Sequence, residues 1–500
     1  MNYYFLGIGG IGMSALARFF NQRGDKVYGY DATETSLTQQ LEHEGMSIHY
    51  TDNPALIPSD IDLVVYTPAI PVETAEFQYF QKSAITMRKR SQMLGEITRG
   101  QKCIAVAGSH GKTSTSSLIA HILSHTELGC SAFLGGISKN FNSNIVVDNN
   151  SQYVVVEADE FDRSFLQLTP YCAVITATDP DHLDIYGSPE NYIQAFRQFA
   201  NLTDHEGFMV LKQGLPLFDD GHDHEHHHHD GDSDDHDHHH ADTPQHPAPS
   251  TPQISYTAQG IEADYYPWNV RHYGSNIFFD LRTPQGVLYD IELPCASLYN
   301  VENAVAAAAV VLTLGVTTHQ LRYGLKTYTG VRRRFDYHIN TKDLVFIDDY
   351  AHHPQEIAAC LQSIRYLYPE KRVVGIFQPH LYSRTRDFAD DFAKALSSLD
   401  ELIMLPIYPA REKPILGVTS SMVLHKINSM SKYLCTFDQA VELLPALCPD
   451  VVVTMGAGSI DTLVPRLVEK LQSDNEVNEV DGINEVNGTT TTKLQNFKTS

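Results

Sequence analysis

Short apolar runs punctuate the chain, and most of them stop at a glycine, an acid or a histidine. "NYYFL" (2–6), "KVYGYD" (26–31) and "IDLVVYTPA" (61–69) come first, with helical stretches such as 13–23 between them. "CIAVAG" from 103, "YVVVEADE" (153–160) and "CAVITATDPDH" (172–182) form a second set. "LVFIDDYAHHP" (344–354), "RVVGIFQPH" (372–380), "ELIMLPIYPA" (401–410) and "VVVTMGAG" (451–458) form a third. Apolar runs alternating with helical patterns predict parallel α/β sheets. In open sheets of that kind, ligands bind beyond the carboxyl ends of the strands. Polar strand ends in three successive sets therefore predict sites that face a shared cleft.

Two segments break the pattern. Residues 219–249, beginning "DDGHDHEHHHHDGDSDDHDHHH", hold no apolar face and are expected to be disordered. The chain from 472 onward repeats "NEV", ends rich in Thr and Asn, and is expected to be a solvated tail. The 500 residues suggest about three domains at roughly 150 residues each. A net charge of −25, part of it concentrated in the His/Asp-rich segment, argues against a nucleic-acid partner. Seven scattered cysteines, mostly inside apolar runs, fit reduced thiols and a cytoplasmic protein. No apolar run is long enough to span a membrane, and no signal-peptide pattern opens the chain.

Two glycine loops carry the candidate chemistry. Gly7, Gly9 and Gly12 form G-x-G-x-x-G between a strand and a helix, with Asp31 ending the next strand. That arrangement suits a diphosphate, whether of a dinucleotide or of a nucleotide sugar, and a ligand-free glycine turn has the same pattern. "AVAGSHGKTSTSS" (105–117) also joins a strand to a helix. It ends in Gly-Lys-Thr like a phosphate loop, but Val106 stands where the usual G-x-x-x-x-G-K-[ST] spacing wants glycine. Lys112 could reach β- and γ-phosphates and Thr113 a Mg²⁺ ion; a plain glycine turn with an exposed lysine is the alternative.

Glu157 and His182 sit at strand ends where they could share Mg²⁺ with Thr113, or satisfy each other. Asn300 and Asn303 lie three apart at the start of an Ala-rich helix; Asn300 could be its N-cap, and either amide could read an adenine edge. Arg332, Arg333 and Arg334 form a basic cluster that is either solvated or aimed at phosphate. Asp348, Asp349, His352 and His353 precede Pro354 and could ligate metal or make a turn. The His-rich run would bind Zn²⁺ or Ni²⁺ loosely without a fixed geometry.

Taken together, "GIGGIGMSALA", "GSHGKTS", "EADEFDRSF", "DPDHLDIYG", "YNVEN", the arginine before Phe335, "DDYAHHPQE", "FQPHLYSRTRDF", "YPAREKPI" and "MGAGSI" resemble the Mur ligase family from residue 1 to about 470, apart from the insert. The resemblance implies an α/β chain of three domains. These are a Rossmann-like UDP-sugar-binding domain (1–100), a central P-loop-type ATPase domain with a mostly parallel sheet (101–325) and a Rossmann-like ligase domain (326–471), followed by a disordered tail (472–500). It implies ATP and Mg²⁺ as cofactors, with small-molecule substrates, no membrane insertion, and a monomer or weak homodimer. The implied ATP site is Gly108, Ser109, His110, Gly111, Lys112, Thr113, Ser114, Asn300, Asn303, Arg334 and Asp349. The implied UDP-sugar site is Gly7, Gly9, Gly10, Gly12, Asp31, His182, His380 and Arg384. Thr113, Glu157 and His182 would hold metal, and Lys112, Glu157, His182, Arg334 and Asp349 would be catalytic.

The implied reaction joins L-alanine to the lactyl carboxylate of UDP-N-acetylmuramate through an acyl phosphate. A family alternative joins a recycled tripeptide to the same sugar. Ala177, Ser109 and Leu381 depart from the family pattern, where Asn, Thr and Arg are common. Outside the family, the first glycine loop alone would fit a nucleotide-sugar oxidoreductase, and the His-rich run alone a metal buffer.

Overall fold

A computed structural model describes residues 1–500 except 182, 219–248, 259–262, 295–296, 411, 428–430 and 482–500; for 183–184 and 474–481 it describes the backbone alone. Among the described residues the strands form four sheets.

The first sheet is all parallel, in the order Ser47–His49, Lys26–Tyr30, Asn2–Leu6, Leu63–Tyr66, Thr86–Lys89. Its middle strand is buried from Tyr3 to Leu6, as an apolar run with helices on both faces must be. The strand order reverses between Asn2–Leu6 and Leu63–Tyr66, and the loop 7–10 leaves the sheet at that reversal to enter the helix Ile11–Gln22.

The second sheet runs Gln253–Tyr256, Phe208–Lys212, Cys172–Ile175, Lys102–Ala107, Tyr153–Glu157, Ser131–Ser138, Ser143–Val146. Only its last pairing is antiparallel. Lys102–Ala107 feeds the helix Lys112–Leu123, which shares one apolar core with the Ala-rich helix Leu298–Thr313. Ala304 and Ala306–Ala309 are fully buried there, and their short side chains permit close helix contact.

The sequence reading did not anticipate the third sheet, an antiparallel meander of Tyr266–Tyr273, Asn276–Thr283 and Gly286–Leu293. Its signal is a period of two: Ile277, Phe279 and Leu281 are buried on one face. The fourth sheet orders Asp336–Asn340, Val345–Asp349, Val451–Met455, Val373–Phe377, Glu401–Met404, Ser431–Leu434, with only the first pair antiparallel.

One expectation is corrected. The last helix, Val464–Asp481, runs ten residues into the segment read as tail from 472. No Gly or Pro interrupts 466–481, so nothing ends the helix before Gly482. Residues 219–248 of the insert 219–249 and the chain from 482 lie outside the described residues. Among the described residues, no helix is long and apolar enough to cross a membrane, and Cys103, Cys130, Cys172, Cys360, Cys435 and Cys448 are free.

The first and second sheets are tied through Asn144, which accepts from Arg18 Nη1 at 2.6 Å and donates to Ser14 Oγ at 2.9 Å. Lys89–Asp162 (3.2 Å) and Arg90–Asp159 (2.8 Å) add ion pairs across the same seam. Lys139–Asp336 (2.6 Å) joins the second sheet to the fourth.

Candidate active site

The loop after Lys102–Ala107 is shaped by two glycines in left-handed backbone, Gly108 (φ 141°) and Gly111 (φ 83°). A Cβ at Gly108 would collide with Thr176, and one at Gly111 would come within 2.7 Å of Asn303 Oδ1. Ser109 Oγ donates to the Asp179 carbonyl at 2.6 Å. Lys112, the first helical residue, donates to Gly108 O at 2.5 Å and pairs with Glu160 at 2.9 Å. Burial works against its charge, but the carboxylates of Glu160 and Glu157 outweigh that and raise its pKa. The loop thus presents a fixed cation at a helix N-terminus, which suits a phosphate chain.

A cavity of about 420 Å³ opens at this loop. Ser109, His110, Gly111, Lys112, Thr113, Ser114, Glu157, Asn303, Arg334 and Asp349, all read from sequence, line it. Gly108 lies behind the wall, holding the lysine through its carbonyl. Asn300 is not the N-cap of its helix. Ser297 is, accepting from Asn300 N at 3.2 Å, because the helix begins at Leu298. Asn300 Oδ1 instead accepts from Asn303 Nδ2 at 3.1 Å and orients the amide that reaches the cavity.

A second cavity, about 320 Å³, lies at the carboxyl end of the first sheet. Gly10 and Gly12 line it with Thr67, Arg90, Gly135 and Asp159. Gly7, Gly9 and Asp31 shape its floor from behind: Gly7 N donates to Tyr30 O and Gly9 N to Asp31 Oδ2, each at 2.8 Å. Arg90 was missed in the sequence. Its guanidinium lies against Gly12, where a Cβ would stand 2.9 Å from Nη1. The available signal was "RKR" (88–90), a basic triplet in an acidic chain.

Glu157 lines both cavities. One of its oxygens accepts from Gly135 N at 2.9 Å, and the strand passes this close because Gly135 has no side chain. The other oxygen takes no bond from a described residue. With the Thr113 hydroxyl it offers hard oxygen donors of the kind Mg²⁺ takes. His182, the third expected ligand, lies outside the described residues.

The third domain closes the first cavity. Of the three arginines, Arg332 bonds Asn142 at 2.7 Å, Arg333 pairs with Asp348 at 3.3 Å, and Arg334 lines the cavity with its guanidinium 4.8 Å from the Tyr350 ring centre. Asp349 accepts from Tyr299 Oη, Phe335 N and Ala351 N, each at 2.7 Å, and so holds the backbone around Arg334. Burial pushes its carboxyl up to about 6, against the pull of Arg334 and those bonds.

His110 meets the same domain: Nδ1 faces Glu356 Oε1 at 3.3 Å and Nε2 faces Gln355 Oε1 at 3.2 Å. Glu356 also accepts from His352 N and His353 N at the start of the helix Pro354–Leu367. Burial alone would raise its pKa, yet the imidazoles of His352 and His110 hold it well below the usual range. His352 and His353 thus serve this turn, and no metal-binding cluster of His, Cys, Asp or Glu occurs among the described residues. His380 packs on Tyr408, and Arg384 pairs with Asp181 at 3.2 Å; neither lines the two cavities described.

Left-handed backbone at non-glycine residues occurs at Asp162, Arg163, Arg333, Phe335 and Leu381 and equally at Asn142, Asn269, Asp290, Ala410 and Cys448, and none of these lines either cavity. Each costs of order 1 kcal/mol or more and persists where the surroundings dictate it.

The family model described as the Mur ligase family catalytic domain matches residues 2–102. The Mur ligase middle domain matches 106–311, and the Mur ligase glutamate ligase domain matches 333–458. The chain belongs to the Mur ligase family. Among Mur ligases, it is 45% identical to the UDP-N-acetylmuramate–L-alanine ligase of Parabacteroides distasonis over 94% of this chain and 96% of that one. The enzyme of the same name from Porphyromonas gingivalis ATCC 33277 is 44% identical, over 94% and 99%. The crystal structure of the UDP-N-acetylmuramate–alanine ligase of Thermotoga maritima superimposes with a TM-score of 0.76 at 26% identity, covering 95% of this chain and all (100%) of that one. A murein peptide ligase from Psychrobacter arcticus shares the fold, with a TM-score of 0.65 at 20% identity over 94% and 98%.

Proposed function

We propose that this Mur ligase joins L-alanine to the lactyl carboxylate of UDP-N-acetylmuramate and cleaves ATP to ADP and phosphate. Relatives that carry that name match it nearly end to end. The observation that carries the chemistry is the shared wall at Glu157. A triphosphate on the Lys112 loop and a sugar nucleotide on the Gly10–Gly12 loop would meet at one carboxylate.

A carboxylate is a poor acyl donor. One of its oxygens attacks the γ-phosphorus, and ADP leaves with the bonding electrons. The amine of L-alanine then attacks the acyl carbon, phosphate departs with the C–O electron pair, and the ammonium intermediate gives up its proton. Lys112 exchanges Glu160 for β- and γ-phosphate oxygens, and Arg334 neutralises charge as it moves to the transferred group. Asp349 keeps Arg334 aimed by fixing Phe335 N and Ala351 N. Thr113, Glu157 and His182 would hold Mg²⁺, which when bound offsets the phosphate charge. Closure of the third domain over the cavity excludes water, which would otherwise hydrolyse the acyl phosphate.

Phosphate release with UDP-N-acetylmuramate and a panel of amines tests this reading. L-alanine should support turnover well above glycine, serine or a free tripeptide. Turnover with the tripeptide alone would overturn the assignment in favour of the recycling reaction.

A further inference from the structure

His110 carries the phosphate loop across to the third domain, and its two partners fix its charge. The side chain is 27% exposed and lines the first cavity two residues before Lys112. Its Nδ1 faces Glu356 Oε1 at 3.3 Å and its Nε2 faces Gln355 Oε1 at 3.2 Å. A neutral imidazole has one N–H donor and one bare nitrogen. It can serve one of these oxygens and must set a lone pair against the other. An imidazolium donates to both.

Both oxygens are held as acceptors. Glu356 Oε2 accepts from His352 N at 3.0 Å and His353 N at 3.2 Å, which leaves Oε1 turned to His110. Gln355 Nε2 donates to Asp179 Oδ1 at 3.4 Å, and that bond turns the amide oxygen to the ring. A flipped amide would set its oxygen against the Asp179 carboxylate. Burial works against a charge on His110, and Lys112 opposes it from the same loop. Glu356 and then Asp179 outweigh both, and the pKa rises above its ordinary 6.5. Of the neighbouring cations, His352 and Arg334 act on Glu356. The His353 ring, 5.9 Å from that of His110, is pushed towards its neutral form by burial and then by His110.

We propose that His110 works as an imidazolium, a second and proton-dependent cation of the phosphate loop, which clamps the third domain to the loop and makes nucleotide binding take up a proton. The proposal rests on the reading of this cavity as the nucleotide site. Phosphates on the loop bring negative charge that favours the imidazolium, and the imidazolium favours the phosphates to the same extent. The proton comes from the buffer. Because the pKa is raised, the clamp is complete below pH 6.5 and is lost as pH rises through the raised value.

Titration calorimetry of the full chain with ADP and Mg²⁺ tests this and needs neither sugar nor amino acid. Run at about pH 8 in two buffers of different ionisation enthalpy, it counts the protons exchanged. Asp349, at about 6, and Lys112, raised above 10.5, do not titrate there. The unaltered protein should take up about half a proton per ADP, and its affinity should fall by about threefold between about pH 7 and about pH 9. His110→Asn should show no uptake and hold the weaker affinity at every pH. His110→Arg keeps a charge without a titrating proton; it should show no uptake and hold the tighter affinity. ADP binding without proton uptake in the unaltered protein overturns the proposal with no variant needed. So does uptake that persists in His110→Asn, the result for a ring that only packs and hydrogen-bonds. Failure to bind ADP at any pH overturns the nucleotide reading of the cavity, and the clamp with it.

Discussion

The two glycine loops share a strand–turn–helix plan and differ in what surrounds them. The Gly7–Gly12 loop is pinned by Asp31 through Gly9 N and takes its cation from Arg90, far along the chain. The Gly108–Gly111 loop has two left-handed glycines and carries its own cation, Lys112, held by Glu160. Under the proposed reaction, the first would hold a ligand in place and the second would hold charge that moves. Glycine spacing alone does not separate these tasks; the residues that reach the loop from elsewhere do.

Removing each loop's cation breaks that comparison most sharply. Lys112→Ala should cut ligase turnover by on the order of a thousandfold while leaving affinity for the UDP-sugar unchanged, as read by phosphate release and equilibrium binding. Arg90→Ala should do the converse. It should raise the KM for the UDP-sugar by about ten- to a hundredfold and change kcat little, because its contact forms before the reaction begins. If both variants lost kcat alone, the division of labour would be wrong.

A pH profile sharpens the second loop's dependence on the third domain. Asp349 has its pKa raised from 3.8 to about 6. Its contribution to folding stability is therefore full below pH about 4 and lost as pH rises through about 6. Its service to Arg334 has the opposite sign, since the carboxylate forms only above that value. Turnover should fall by about tenfold per unit below pH 6, and Asp349→Asn should flatten that limb at a lower rate.

Smaller effects follow at the edges. His110→Ala removes the contacts to Gln355 and Glu356 and should raise the KM for ATP by about threefold, in line with a partly exposed pair. Deletion of 219–249 should leave kcat within about twofold, because none of the residues lining the two cavities belongs to it.

The parallel sheets, both loops, and Lys112, Glu157 and Arg334 were legible because each depends on local pattern: an apolar run, a glycine, a polar strand end. Asn300 was misread as a possible cap because Ser297, three residues earlier, competes for that role. Glu160 and Arg90 were illegible because their partners lie 48 and 69 residues away in sequence. The meander 266–293 had a plain alternation, but its strands end in no chemistry and drew no notice.

The common wall at Glu157 has a consequence for inhibition. A single molecule carrying a diphosphate mimic at one end and a triphosphate mimic at the other would have to thread past one side chain. Its gain over the separate halves would measure the effective concentration that the enzyme imposes on its two substrates.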